Sequence, residues 1–449
     1  MSTDFFTELS ADQVAEAHRR HNITSWSAQS GPMPMVVTGG AGCWFWDSNG
    51  KKYLDFQSQL VNLNLGHQHP AIVEAIKKQA DSLCYIGPSM ANDARSELAL
   101  EISKVTPGDL NKTFFTTGGA AAIENAVRLA RHITGRQKVL ARYRSYHGAT
   151  ATALTISGDP RRWFAEPAAP GIVRIQDPYC YRCPFGHTSS CGVCQGSPHL
   201  EEILQFENPK SVAAVIVEPI TGTNGILVPP DGYLEGLRET CDKYGIVLIF
   251  DEVMSGFGRS GEWFACDHWG VTPDILCVAK GLNSGYVPLG AMIVSDKYEK
   301  WLSENVFPGG LTYSGHPLAC ASGVASLKAY HEEKVIDNAR TMGAYLMERL
   351  SEMKGRHPSI GDVRGKGLFI GVELVKNRDS REPFVPFNAK GEANKPMSSL
   401  LSAAMAKGLY LSSFSNIIRL TPPLIVNRDE IDFACGILDE LFTAADSSL

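Results

Sequence analysis

The 449-residue sequence is 44% hydrophobic and carries 42 Lys+Arg against 48 Asp+Glu, for a formal net charge of −6. That supports a substantial core, and it is more chain than one core usually organises, so two domains are expected. The mild, unblocked charge argues against general attraction to nucleic acid or anionic membrane, and no apolar run nears the roughly 18 residues that span a bilayer.

The opening "MSTDFFTELSADQVAEAHRRH" is acidic and amphipathic, without the basic region and apolar stretch of a signal peptide, so a reducing, cytoplasmic compartment is expected. Seven cysteines (Cys43, Cys84, Cys241, Cys266, Cys277, Cys320 and Cys435) are scattered singly, as small buried apolar residues would be. "GCWFWDSNGKKYLDF" reads as a hairpin turning at Ser48 to Gly50. Next, "FFTTGGAAAIENAVRLARHI" (114–133) passes from a strand through Gly118 and Gly119 into a helix with Ile123, Ala126, Val127 and Ala130 on one face.

Strand-like runs follow at "VLARYRS" (139–145), "VAAVIVEP" (212–219), "GIVLIFDEV" (245–253) and "DILCVAK" (274–280). The last three recur about every 30 residues, the period of a βαβ unit in a mostly parallel sheet. Between two of them, residues 231–245 form a plausible crossover helix with Leu234, Leu237 and Cys241 on one face. From about residue 333 the texture changes: "IDNARTMGAYLMERLSEMKG" is a long amphipathic helix, and "IGDVRGKGLFIGVEL" opens a second strand set that alternates with helix patterns. A boundary near 330 is therefore expected, giving an α/β large domain over 61–332 and a smaller α+β domain over 333–449, with residues 1–60 packing on the smaller part.

Three successive core strands run into an ionisable residue: Glu218, Asp251 and Lys280. One alone would read as a surface residue ending a strand, but the carboxyl ends of parallel strands line a ligand crevice, where three in succession converge. A partly desolvated lysine is nucleophilic near neutral pH and forms imines with carbonyls. Asp251 is either its ion-pair partner or an acid that holds a proton on a heteroaromatic nitrogen; pyridoxal phosphate (PLP) needs both the lysine and the acid. The Gly-Gly turn before the helix would cradle its phosphate, although such turns are more often only turns.

The ordered set "TTGGAAAIENAVRLAR", "YRSYHGAT", "VEPITGTNG", "LIFDEVMSGFGRSG", "PDILCVAKGLNSGYVPLGA" and "GLTYSGHPLACA" resembles the class III (ω-) aminotransferases, PLP-dependent transferases of fold type I, from about residue 30 to 430. The resemblance implies that Lys280 binds the cofactor and shuttles the substrate proton, and that Asp251 pairs with the pyridine nitrogen. It implies that Tyr146 stacks on the ring beside His147, that Gly119 and Ala120 offer amides to the phosphate, and that Thr312 reaches the phosphate of a neighbouring subunit. A homodimer with shared sites, or a tetramer built from it, would be the working unit.

By the same resemblance, Arg419 in "NIIRLTPPL" holds the carboxylate of the 2-oxo acid acceptor, and Glu218 masks that arginine when the amine donor lacks an α-carboxylate. The shape of the donor pocket would depend on Val61, Tyr85 and Trp263. Two departures stand out. Ala149 replaces the arginine with which 4-aminobutyrate enzymes follow "YHG". Ala120 and Ala121 replace the usual Ser or Ala followed by Glu, so weaker cofactor binding is expected.

"CYRCPFGHTSSCGVC" has the spacing C-x2-C-x7-C-x2-C and would suit a zinc site of Cys180, Cys183, Cys191 and Cys194 with His187 in reserve, or simply a loop covering the entrance. No metal ligand is assigned. The leading expectation is a ping-pong transaminase that moves nitrogen from an ω-amino acid, taurine-like compound, diamine or simple amine to pyruvate or 2-oxoglutarate. Behind it stand an aminomutase or racemase of the same fold and a zinc-stapled, non-catalytic binding protein.

Overall fold

The computed structural model describes residues 9–187 and 198–449. Its centre is a seven-stranded sheet, with strands numbered here among themselves in chain order: β1 Leu110–Thr116, β2 Lys138–Arg142, β3 Ile172–Ile175, β4 Val212–Val217, β5 Val247–Asp251, β6 Ile275–Val278 and β7 Gly290–Ser295. Their spatial order is β1-β7-β6-β5-β4-β2-β3. From β3 to β6 every pairing is parallel; β7 runs against both β1 and β6, so β1 points the same way as the rest.

Alternate residues of each strand serve opposite faces. Ala214, Ile216, Val247, Ile249, Ile275 and Cys277 share one apolar cluster with Ile123, Ala126, Val127 and Ala130 of helix α1 (Gly119–Thr134). Their neighbours Val215, Val217, Leu248, Phe250, Leu276 and Val278 belong to a larger cluster with Leu234, Leu237 and Cys241 of helix α2 (Tyr233–Tyr244). A sheet covered on both faces requires uninterrupted apolar strands, which is why these runs read as solid Val, Ile and Leu.

Beyond the sheet, a helix covers Val335–Arg356, and the strands that follow it are antiparallel: Ile360–Lys366, Phe369–Asn377, Ile417–Leu420 and Ser412–Phe414 in spatial order. The hairpin Trp44–Asp47 and Lys52–Asp55 forms as its sequence requires. Leu409–Tyr410 then pairs in parallel with Lys52–Asp55, so the beginning and the end of the chain share a four-stranded sheet. Among the described residues no helix is long and apolar enough to cross a membrane.

Candidate active site

The carboxyl ends of the parallel strands open onto a cavity of about 380 Å³ lined by Gly118, Gly119, Ala120, Tyr146, His147, Glu218, Asp251 and Lys280, among others. They arrive from five strand ends: Gly118 to Ala120 after β1, Tyr146 and His147 after β2, Glu218 after β4, Asp251 closing β5 and Lys280 after β6. Thr116, which closes β1, donates its hydroxyl to Gly118 O at 2.9 Å, and the Ala122 amide donates to the same carbonyl at 3.2 Å. Helix α1 thus starts with the amides of Gly119, Ala120 and Ala121 free of intrahelical acceptors, at the positive end of its dipole. Close packing shapes this loop: a Cβ on Gly290, which pairs with Thr116, would lie 2.7 Å from the Gly118 carbonyl carbon.

The Tyr146–His147 segment is clamped from both sides. Glu218 Oε1 accepts from the Tyr146 amide at 3.1 Å, and Ser157 Oγ accepts from the His147 amide at 2.8 Å. His147 Nδ1 donates to Asp251 Oδ2 at 2.7 Å, while the Val253 amide donates to Asp251 Oδ1 at 3.0 Å. A carboxylate so held keeps lone pairs for one more donor. His147 Nε2 is buried and without a partner.

Lys280 follows the end of β6 in a tight turn, with Leu282 N donating to Ala279 O at 3.0 Å and Tyr330 Oη buttressing Gly281 O at 2.8 Å. Its φ of +47° lies in the left-handed region, a strained choice for a lysine, of the sort found where a structure fixes a functional side chain. Burial pulls its ammonium down to about 8, against the opposing pull of the Asp251 and Glu218 carboxylates. Burial also raises the Glu218 carboxyl, with Asp251 adding to the shift and His147 countering it.

Arg419 donates through Nη2 to Ser412 Oγ at 2.8 Å and through Nη1 to the carbonyl of Thr223, a cavity-lining residue, at 3.5 Å; its Nε is buried without a partner. Burial and the nearby Arg161 cation lower it to about 10. The expected pairing of Glu218 with Arg419 is not present in this structure. Glu218 Oε1 accepts from the Tyr146 amide and Oε2 from the Gly222 amide at 2.7 Å.

Three expected pocket residues lie off the cavity wall. Val61 is 2% exposed in an apolar cluster with Ile220, Phe369 and the cavity-lining Met254, and its neighbour Asn62 lines the cavity instead. Tyr85 packs on Tyr313 and His316 and donates its hydroxyl to the Thr312 carbonyl at 2.9 Å. Trp263 packs edge-on against Tyr330 and tilted against His331 and does not line the cavity. Thr312 does not line the cavity of its own chain. Val61 and Tyr85 follow turns whose backbone, including positive φ at Ser58, Gln59 and Val61, no periodicity foretells.

Arg161 was missed by sequence reasoning. Its guanidinium carbon sits 3.5 Å from the centroid of the Tyr146 ring. "GDPRRW" offers no spacing that would single it out; only its nearness to Tyr146 in the chain hinted at it.

Cys180 opens the short helical turn Cys180–Arg182 and Cys183 follows it, whereas Cys191 and Cys194 lie outside the described residues. Among the described residues no cluster of three or more His, Cys, Asp or Glu side chains would hold a metal ion. Glu373 anchors the turn, accepting from the Tyr179 hydroxyl and from Arg182 Nε at 2.5 Å.

Taken together, an amine of lowered basicity, a clamped buried carboxylate with spare acceptor capacity, an aromatic ring and a cradle of free amides fit a phosphorylated pyridine aldehyde. The profile of the aminotransferase class-III family matches residues 25–442. The chain belongs to the class III aminotransferases. Taurine–pyruvate aminotransferase of Bilophila wadsworthia is 35% identical over 430 residues, covering 92% of this chain and 93% of that protein. The (R)-1-hydroxy-2-aminoethylphosphonate ammonia-lyase of Vibrio splendidus is 32% identical, covering 94% and 88%. The solved taurine:2-oxoglutarate aminotransferase of Bifidobacterium kashiwanohense, in complex with PLP and glutamate, superposes with a TM-score of 0.94 at 40% identity, covering 99% of this chain and all of that one. This class III protein is a PLP-dependent aminotransferase of fold type I.

Proposed function

We propose that the chain transfers the amino group of a primary amine or ω-amino acid to pyruvate or 2-oxoglutarate in two alternating half-reactions, as a cytoplasmic homodimer. The observation that carries this is Lys280, an amine lowered to about 8 in the same cavity as the buried Asp251–His147 pair. PLP, when bound, supplies an electron sink for the carbanion left by proton loss. In this reading Lys280 Nζ takes the proton from the amine-bearing carbon of the donor and returns a proton to the acceptor carbon. Asp251 holds the proton of the pyridine nitrogen and His147 orients Asp251, while Tyr146 packs on the ring. The amides of Gly119 and Ala120 hold the phosphate, and Thr312 serves the partner chain's phosphate. Arg419 receives the acceptor carboxylate, since a guanidinium suits a bidentate anion.

The test is a panel of amines given to the purified protein with PLP and either pyruvate or 2-oxoglutarate, scored by alanine or glutamate formed. Amino acid formed only when an oxo acid is present, and lost in Lys280→Ala, supports the reading. Ammonia released without any oxo acid would instead indicate a lyase, the activity named for one relative.

A further inference from the structure

The structure assigns a second ligand site, suited to one small α-amino acid with an apolar side chain, behind a wall of the catalytic cavity. This second cavity, of about 200 Å³, is lined by Arg144, Arg182, Asn224, Phe387, Phe414 and Ile417, among others, and shares no lining residue with the first. Thr223 lines one cavity and Asn224 the other, so the two meet across a single step of backbone. A space of that size takes one ring-sized molecule.

The polar groups of this cavity are only partly satisfied. Arg182 donates through Nε to Glu373 Oε1 at 2.5 Å and through Nη1 to the Arg381 carbonyl at 2.6 Å, but its Nη2 is buried without a partner. Arg144 donates through Nη1 to Asp177 Oδ2 at 3.2 Å, with its guanidinium carbon 5.2 Å from the Tyr179 ring centroid; its Nε and Nη2 make no hydrogen bond among the described residues. Two restrained guanidiniums with free N–H groups suit a carboxylate. Asn224 is 1% exposed and gives its Nδ2 to Asp159 Oδ2 at 3.4 Å, while its Oδ1 is buried and unpartnered. With its amide end taken by a carboxylate, Asn224 offers a ligand an acceptor, so the ligand must also bring a donor. Each arginine already faces an acid, Asp177 or Glu373, and a balanced lining of this kind admits a zwitterion at less cost than a bare anion. Phe387 and Phe414, edge to face with ring centroids 6.2 Å apart, form the apolar side together with Ile417. An ammonium on Asn224, a carboxylate on Arg182 and Arg144, and an apolar side chain on the phenylalanines use all of these groups.

The test reads binding and does not depend on which reaction the protein runs. Cycloleucine is the probe, because its α carbon carries no proton and transamination cannot consume it. Calorimetric titration of the PLP-loaded protein should show saturable binding that weakens about tenfold or more in Arg144→Gln and in Asn224→Leu and stays within about threefold of the parent in Arg419→Leu. Phe414→Ala, a change at a half-buried position, should weaken it similarly and decides the matter if the buried changes upset folding. Cyclopentanecarboxylate and cyclopentylamine, which each keep one charged end, should each bind at least about tenfold more weakly than cycloleucine. The cofactor's visible band should not move as the probe saturates. Absence of saturable binding at millimolar probe, a Kd that follows Arg419 rather than Arg144, Asn224 and Phe414, equal binding of either one-charge analogue, or a moving cofactor band overturns the inference.

Discussion

His147 Nδ1 stands 2.7 Å from Asp251 Oδ2, with both side chains buried and the far ring nitrogen unpartnered. A carboxylate acceptor fixes the hydrogen on Nδ1, so the imidazole orients Asp251 toward the cavity without competing for its remaining lone pairs. Asp251→Asn, which keeps the shape but removes the negative charge, should lower single-turnover transamination by about 10²- to 10³-fold. His147→Ala should cost less and shift the visible absorption of the bound cofactor. An Asp251→Asn enzyme with parental turnover would remove Asp251 from the chemistry.

Lys280 titrates near 8, so below that pH the free amine falls tenfold per unit. The rate at which apo-protein takes up PLP, followed by its visible band, should climb with pH and level off above about 8; a flat profile would contradict the assignment. The sign of the stability effect follows from the same shift. Between about 8 and the ordinary 10.5 the unfolded chain binds more protons at this lysine than the folded one. Stability should therefore rise with pH across that window, and the Lys280→Ala protein should lack this contribution.

Gly290 tests the phosphate cradle without touching a charged group. A methyl at this position would meet the Gly118 carbonyl carbon at 2.7 Å and its oxygen at 2.8 Å, and neither backbone atom yields cheaply. Gly290→Ala should cost about 1–3 kcal/mol of stability and weaken PLP binding more than Gly436→Ala, where the added atom meets nothing and the backbone is helical. Equilibrium dialysis of the cofactor together with thermal unfolding reads both effects.

Glu373 is fully buried and accepts from Arg364 Nη1 at 2.8 Å, Arg182 Nε at 2.5 Å and the Tyr179 hydroxyl. Burial alone would raise its carboxyl, but Arg364, the Tyr179 hydroxyl and Arg182 hold it below the usual range. Its contribution is thus present above the ordinary glutamate value of 4.5 and lost as pH falls through the depressed one. Glu373→Ala should cost about 1–3 kcal/mol in denaturant unfolding at neutral pH, because it takes one carboxylate from the part-buried Arg182 and Arg364, of which Arg364 keeps Asp362. It should also loosen the turn carrying Cys180 and Cys183 before it alters chemistry at Lys280.

What could be read in advance was whatever local pattern determines. Strands β4, β5 and β6 announced themselves as apolar runs, helix α1 by its face of Ile123, Ala126, Val127 and Ala130, and the convergence of Glu218, Asp251 and Lys280 by the geometry of parallel strand ends. The antiparallel insertion of β7 gave no such sign, since "GAMIVS" fits either direction. Contacts set by loop backbones were invisible too. Val61 is buried rather than cavity-facing, and Arg161 reaches the Tyr146 ring only through the turn after Asp159.

The pairing of Leu409–Tyr410 with Lys52–Asp55 has a cost in time. During synthesis the early ribbon exposes a raw border of unsatisfied amides and carbonyls until nearly the whole polypeptide has left the ribosome, a long wait in which strangers can dock there. A circular permutant that delivers the ribbon just after its late partner would shorten that vulnerable interval, and should reach the native state with fewer losses to clumping.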